Sequence, residues 1–356
     1  MSALFAPLKI RDTEFQNRVW VSPMCQYMAT DGHVGPWHQA HLGALATGAP
    51  GMIMVEATGV TPQGRISIGC PSIEDDAHAM SFKPMIDFAH SMSVKMGIQL
   101  AHAGRKASTM RPWDDHRMAS PEEGGWQAVS SSATAFEGYP IPRELTTDEI
   151  NEITEHFADA AARAVKVGFD VIEIHAAHGY LMHQFYSPLM NHRTDEYGGS
   201  FQNRIRFLLE TTKAVRAAIP ATTPLMVRIS ATDWADNGWN LIDSIELCIQ
   251  LKAIGVDLID VSSGGAIHNA KIDAKPNFQV PFATAIRTEA NIPTAAVGLI
   301  TEPEQAEHII TSGEADAVFL ARAMLRNPRW ALMASEKLGH RIDWPLPLDR
   351  GRTLPL

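Results

Sequence analysis

The chain has 356 residues, of which 45% are hydrophobic and 20% charged, and its formal net charge is −10. That balance supports a large buried core, and an acidic chain without a basic run argues against a nucleic-acid partner. Three scattered cysteines (Cys25, Cys70, Cys248) suggest neither a disulfide framework nor a zinc cluster, and no apolar run is long enough to span a bilayer, so a reducing cytoplasm is the expected setting.

Eight short apolar segments read as strands, at 18–23, 51–57, 95–101, 170–175, 225–230, 257–262, 294–298 and 316–321. Helical patterns separate most of them. In the fourth unit, Ile150, Ile153, Phe157, Ala160 and Ala164 keep to one helical face, and Thr146 with Glu149 has capping-box spacing. Thr301 with Glu304 repeats that spacing before the last strand. Gly168, Gly255 and Gly313 each fall between a helix and the next strand, where a left-handed cap belongs. Repeated strand–helix units of this number predict one closed (β/α)8 TIM barrel across 1–356, without a dividing linker. No Gly-x-Gly, Gly-Lys or Gly-x-Ser-x-Gly occurs, which removes the Rossmann, phosphate-loop and hydrolase-elbow alternatives. Two connections, about 103–145 and about 176–199, leave C-terminal strand ends and are long enough for a lid or binding loops.

The candidate site lies at those strand ends. Strand alternation puts Glu173 and His175 on one face of the fourth strand, and His178 and Tyr180 follow at its exit. Gln99 and Arg228 occupy similar places on the neighbouring strands. Arg228 needs an anionic partner: Glu173, a bound anion, or both. His175 and His178, with His183 as a third nitrogen, also allow a metal site, although Tyr180 suits proton delivery better. Ser22-Pro23-Met24-Cys25-Gln26-Tyr27 leads out of the first strand. Val297-Gly298 and Ala321-Arg322, after the last two strands, suit a phosphate.

These stretches resemble the FMN-dependent ene-reductases of the old yellow enzyme family, in its bacterial thermophilic-like and xenobiotic-reductase branch. The likeness rests on Ser22–Tyr27, Val55-Glu-Ala57, Pro62-Gln-Gly-Arg65, Gln99-Leu-Ala-His-Ala-Gly-Arg-Lys106, Glu173-Ile-His-Ala-Ala-His-Gly-Tyr180, Asn191-His-Arg-Thr-Asp-Glu-Tyr-Gly-Gly-Ser200 and Ala296-Val-Gly298, in the family's order. It implies non-covalent FMN, reduced by NAD(P)H and reoxidised by electron-poor alkenes. Ser22, Pro23, Met24, Cys25, Ala57, Gln99 and Arg228 would line the flavin ring, and Val297, Gly298, Ala321 and Arg322 would hold its phosphate. Cys25 would tune the flavin. His175 and His178 would bind the substrate carbonyl, Tyr27 would shape the pocket and Tyr180 would donate the proton. A homo-oligomer, dimer or tetramer, is expected, with no membrane or nucleic-acid partner. Two departures stand out: Ala321 replaces a usual glycine, and the tail around Arg350 lacks the aromatic that accompanies an arginine reaching a neighbour's site. The competing readings are a metal-dependent barrel hydrolase or lyase using the histidines, and a non-catalytic flavoprotein.

Overall fold

The computed structural model describes residues 2–114 and 117–353. Its barrel strands are β1 (Val19–Val21), β2 (Met52–Gly59), β3 (Lys95–Ala101), β4 (Val171–Ala176), β5 (Leu225–Ser230), β6 (Leu258–Ser262), β7 (Thr294–Val297) and β8 (Ala317–Leu320). Each pairs in parallel with its neighbours in chain order, and β8 closes on β1 through Val318 beside Val19. The principal following helices are α1 (Pro36–Ala46), α2 (Lys83–Ser91), α3 (Thr147–Val167), α4 (Phe201–Ala218), α5 (Leu241–Ala253), α6 (Val280–Glu289), α7 (Pro303–Thr311) and α8 (Trp330–Lys337). The predicted barrel is thus present.

Strand alternation sorts the core into two parts. Outward residues such as Ile53, Val55, Ile98, Ile172, Ile174 and Val227 pack against the helices. Inward residues at the N-terminal end, including Trp20, Met52, Met54, Met226 and Phe319, fill the barrel. A short hairpin that the pattern reading missed, Leu8–Ile10 with Thr13–Phe15, closes this end and sets Phe15 4.8 Å from Trp20 between ring centres. Polar inward residues begin only above this layer, so the apolar plug forces the chemistry to the C-terminal rim.

The caps follow residue chemistry closely. Thr146 accepts from the Glu149 N–H and Gly168 ends α3 at φ 117°, as the spacing predicted. Gly255 and Gly313 also lie at positive φ. The second capping expectation is wrong by one residue: Glu302 caps α7, and Gln305 Oε1 accepts from the Thr301 N–H at 2.9 Å. Pro303 at the first helical position shifts the boundary, because its fixed φ and missing donor suit that place. The segment after β3 turns back across the rim. Trp126 Nε1 ties it to the Gln63 carbonyl at 2.9 Å, and the two-residue strands Val129–Ser130 and Arg143–Glu144 pair within it.

Candidate active site

The β4 exit brings three rings together. His175 is 5.2 Å from His178 and 5.0 Å from Tyr180 between ring centres, both edge-on. The turn that does this is unusual, because His178 sits at φ 59° and Gly179 at φ 73°. The cost of a left-handed histidine is offset by specific contacts. The His178 N–H donates to Ser230 Oγ at 2.9 Å, and its carbonyl accepts from Lys106 Nζ at 2.9 Å. Gly179 passes so close to the Gly265 carbonyl that a Cβ there has no room.

His175 Nδ1 accepts the Ala177 N–H at 3.3 Å, which leaves the ring proton on Nε2. His178 Nε2 lies 2.7 Å from Ser262 Oγ. Gln279 Oε1 already accepts from Ser263 Oγ at 2.6 Å, whereas Ser262 Oγ is 3.4 Å from it. Ser262 is therefore better placed to donate to His178 Nε2, which puts the His178 proton on Nδ1. Burial, with Arg228 close by, holds both histidines well below their ordinary pKa, so both rings are neutral donors at pH 7. Burial chiefly pushes the Tyr180 phenol well up, with Cys25 and Tyr27 adding to it. Tyr180 therefore keeps its proton.

Beneath the rim, one guanidinium serves two acids. Arg228 Nε lies 3.2 Å from Asp260 Oδ2 on β6, a paired carboxylate the sequence did not point to, and its charge also acts on the expected partner Glu173. The register places Arg228 directly beside Asp260, while Glu173 lies beside Gln99 and accepts from its Nε2 at 2.8 Å. Among the described residues, Arg228 Nε, Glu173 Oε2 and both Asp260 oxygens make no well-directed hydrogen bond. Burial and the Asp260 charge push Glu173 up to about 8, and burial pushes Asp260 up to about 6.

The first two strands supply the opposite wall. Ser22 is held by its N–H on the Leu320 carbonyl at 3.0 Å, and Pro23, Met24 and Cys25 follow, each half-buried. A register shift in β2 between Val55 and Thr58 aims Glu56 and Ala57 differently from a regular strand. Glu56 accepts from the Gln26 N–H at 2.9 Å and faces His38. Ala57 joins Ala101, Ala103 and Cys70, with Cys25, Tyr27 and Tyr180 packed against them. A hydrogen bond with the Cys70 thiol, together with burial, holds Cys25 well above the ordinary thiol value, so it is a neutral S–H rather than a ready nucleophile. Tyr27 stands edge-on to Trp113 of the long connection at 6.1 Å.

At the far side, Val297 is buried and its carbonyl accepts from Gln279 Nε2 at 2.8 Å. Gly298, at φ 113°, leaves no room for a Cβ beside Gln279 and Phe278. Ala321 precedes the short helix Arg322–Arg326, and the Arg322 side chain is exposed. The β7 and β8 exits are thus neighbours, as a shared anion site requires. Arg350 is not at this rim. It lies exposed on the turn Leu346–Gly351, beyond Trp344, which borders a surface cleft with Gln16 and Ser93 at the N-terminal end of β3.

Several residues escaped the sequence reading. Lys106 is pushed down to about 8 by burial and by Arg105, and its Nζ lies 5.2 Å from the Tyr180 ring centre. Arg105 donates to the Ala266 carbonyl at 2.6 Å. Two consecutive basic residues just past a strand end were the available signal. His183 cannot be a third metal ligand beside the pair, because its nitrogens are engaged by the Gly179 N–H at 2.9 Å and Asp233 at 2.8 Å.

The chain is similar to known proteins over nearly its whole length. Residues 3–340 match the family model described as NADH:flavin oxidoreductase / NADH oxidase. An NADPH dehydrogenase of Geobacillus thermodenitrificans is 46% identical over 353 residues, covering 98% of both chains. One from Bacillus subtilis is 44% identical over 351 residues, again covering 98% of both. Among solved structures, morphinone reductase in complex with tetrahydroNAD superposes with a TM-score of 0.79 at 27% identity, covering 97% of this chain and 93% of that one. The chain belongs to the NADH:flavin oxidoreductase / NADH oxidase family, the old yellow enzymes, and is an FMN-dependent oxidoreductase that draws on NAD(P)H.

Proposed function

We propose that the enzyme reduces the C=C bond of α,β-unsaturated carbonyl compounds. The observation that carries this reading is the pair of neutral imidazoles, His175 and His178, edge-on to one another 5.2 Å apart beside a protonated Tyr180. Two neutral N–H donors grip a carbonyl oxygen and strengthen their hold as it becomes an enolate. Burial chiefly lowers both histidines, with Arg228 and Lys106 adding to it, and the positive field of those two groups favours the developing anion. Tyr180 then supplies the proton to the carbon next to the carbonyl.

Bound FMN supplies the hydride, after reduction by NAD(P)H. The buried guanidinium of Arg228, only loosely engaged by Asp260, suits the electron-rich end of the flavin ring. Ser22, Pro23, Met24, Cys25, Ala57 and Gln99 form the surrounding wall, with the Cys25 thiol as a neutral donor. Val297, Gly298, Ala321 and Arg322 take the phosphate at the adjoining β7 and β8 exits. Tyr27, with Trp113, borders the substrate space, and the 103–145 segment serves as its lid. Arg350 can serve only the site of a neighbouring copy, within a dimer or tetramer.

The test is an anaerobic spectrum. NADPH should bleach the flavin, and a cyclic enone should restore its colour while the saturated ketone accumulates. Recovery with oxygen or quinones but with no activated alkene would refute the proposal.

A further inference from the structure

The Gly179 peptide joins His178 to Tyr180, and it is held from both sides. Its N–H donates to His183 Nδ1 at 2.9 Å, and its carbonyl accepts from Gln184 Nε2 at 2.7 Å. His183 and Asp233 are both fully buried, with His183 Nε2 2.8 Å from Asp233 Oδ1. The other Asp233 oxygen accepts from Ser187 Oγ at 2.6 Å and the Trp239 N–H at 2.8 Å.

These contacts determine the histidine tautomer. Facing an N–H donor, Nδ1 must present a lone pair, so the ring proton sits on Nε2 and is accepted by the carboxylate. Moving that proton to Nδ1 would set two donors against each other at Gly179. His178 and Gly179 are both left-handed, at φ 59° and φ 73°. Such a turn persists only while its surroundings impose it.

We propose that Asp233 is a positioning residue: by fixing the tautomer of His183 it anchors the Gly179 peptide, and so sets His178 relative to Tyr180. This rests on the roles proposed above for those two side chains. Asp233→Asn isolates the effect because it preserves shape. The Trp239 N–H still needs an acceptor, so the new amide oxygen faces Trp239 and the amide N–H faces His183. His183 Nε2 must then accept, its proton moves to Nδ1, and the Gly179 anchor is lost.

The experiment titrates the FMN-loaded parent and variants with a para-substituted phenol, alongside thermal melts and half-reaction kinetics. His183→Gln keeps a donor for Asp233 but loses the acceptor for Gly179, whereas His183→Asn does the reverse. Asp233→Asn and His183→Gln should bind the phenol about tenfold more weakly, the scale of one lost hydrogen bond, and slow the enone half-reaction without slowing reduction by NADPH. His183→Asn should melt lowest, yet bind the phenol within about threefold of the parent, since the anchoring bond survives. Parent-like phenol binding by Asp233→Asn would overturn the inference, and so would equal weakening by the two His183 variants. A parent that binds no phenol would instead sink the functional reading, and this inference with it.

Discussion

His175→Ala probes the central claim most directly. The ring is a neutral donor through Nε2, with Nδ1 engaged by the Ala177 N–H. A phenolate oxygen resting between the two histidines would lose one hydrogen bond to a charged partner. Such a bond is worth about 1.5–3 kcal/mol, or roughly 10- to 150-fold in Kd. Truncation also removes edge contacts with His178 and Tyr180, at 5.2 and 5.0 Å between ring centres. Each such contact contributes about 0.5–1.5 kcal/mol to stability, so the melting temperature should fall as well. Since the lost group is uncharged, the ratio of parent to variant affinity should be the same at about pH 6 and about pH 8, across the ordinary histidine range. Titration of the holoenzyme with a para-substituted phenol at both pH values gives the numbers. Unchanged affinity would refute the donor role. A ratio that grows as the pH falls would refute the neutral ring.

Tyr180→Phe should slow flavin reoxidation by an enone by about 10²- to 10⁴-fold while sparing reduction by NADPH; stopped-flow traces in which only the reductive step slows would contradict the assignment. Glu173 is raised from 4.5 to about 8, so the folded state holds the extra proton between those values. Its contribution to stability is therefore present below about 4.5 and lost as the pH rises through about 8. Thermal melts of Glu173→Gln should decline less steeply over that window than the parent, and parallel curves would rule this out. Gly179→Ala places a methyl against the Gly265 carbonyl in a left-handed turn, and should destabilise by about 1–3 kcal/mol from backbone strain alone. An unchanged melting temperature would show that the 176–180 turn tolerates a different path.

What could be read from the residues was whatever local chemistry decides. Gly168, Gly255 and Gly313 mark helix ends because a left-handed cap excludes most side chains. His175 and Tyr180 stood out because polar residues at the end of an apolar strand need a reason. The Arg228–Asp260 pairing was not legible, since it depends on the register between β5 and β6 rather than on either strand alone. The His183–Asp233 link spans 50 positions and escapes any local pattern. The β2 irregularity at Glu56–Ala57 was hidden too, because no glycine or proline announces it.

The location of charge explains how an acidic chain maintains an anion-favouring site. The formal net charge is −10, yet two of the buried acids of the barrel lie below the rim. Glu173 and Asp260 flank Arg228 there, and their raised pKa values mean that part of their negative charge is titrated away near neutral pH. The rim cations are held differently. Lys106 donates to the His178 carbonyl, and Arg105 to the carbonyls of Thr134 and Ala266. Carbonyl oxygens satisfy donors without cancelling a formal charge, so the field of these cations persists in the water-poor mouth of the barrel. Burial chiefly lowers both imidazole pKa values, with Arg228 and then Lys106 adding to it, so His175 and His178 stay neutral donors. The lysine that orients the His178 backbone therefore also adds to the burial and the Arg228 charge that keep its ring neutral.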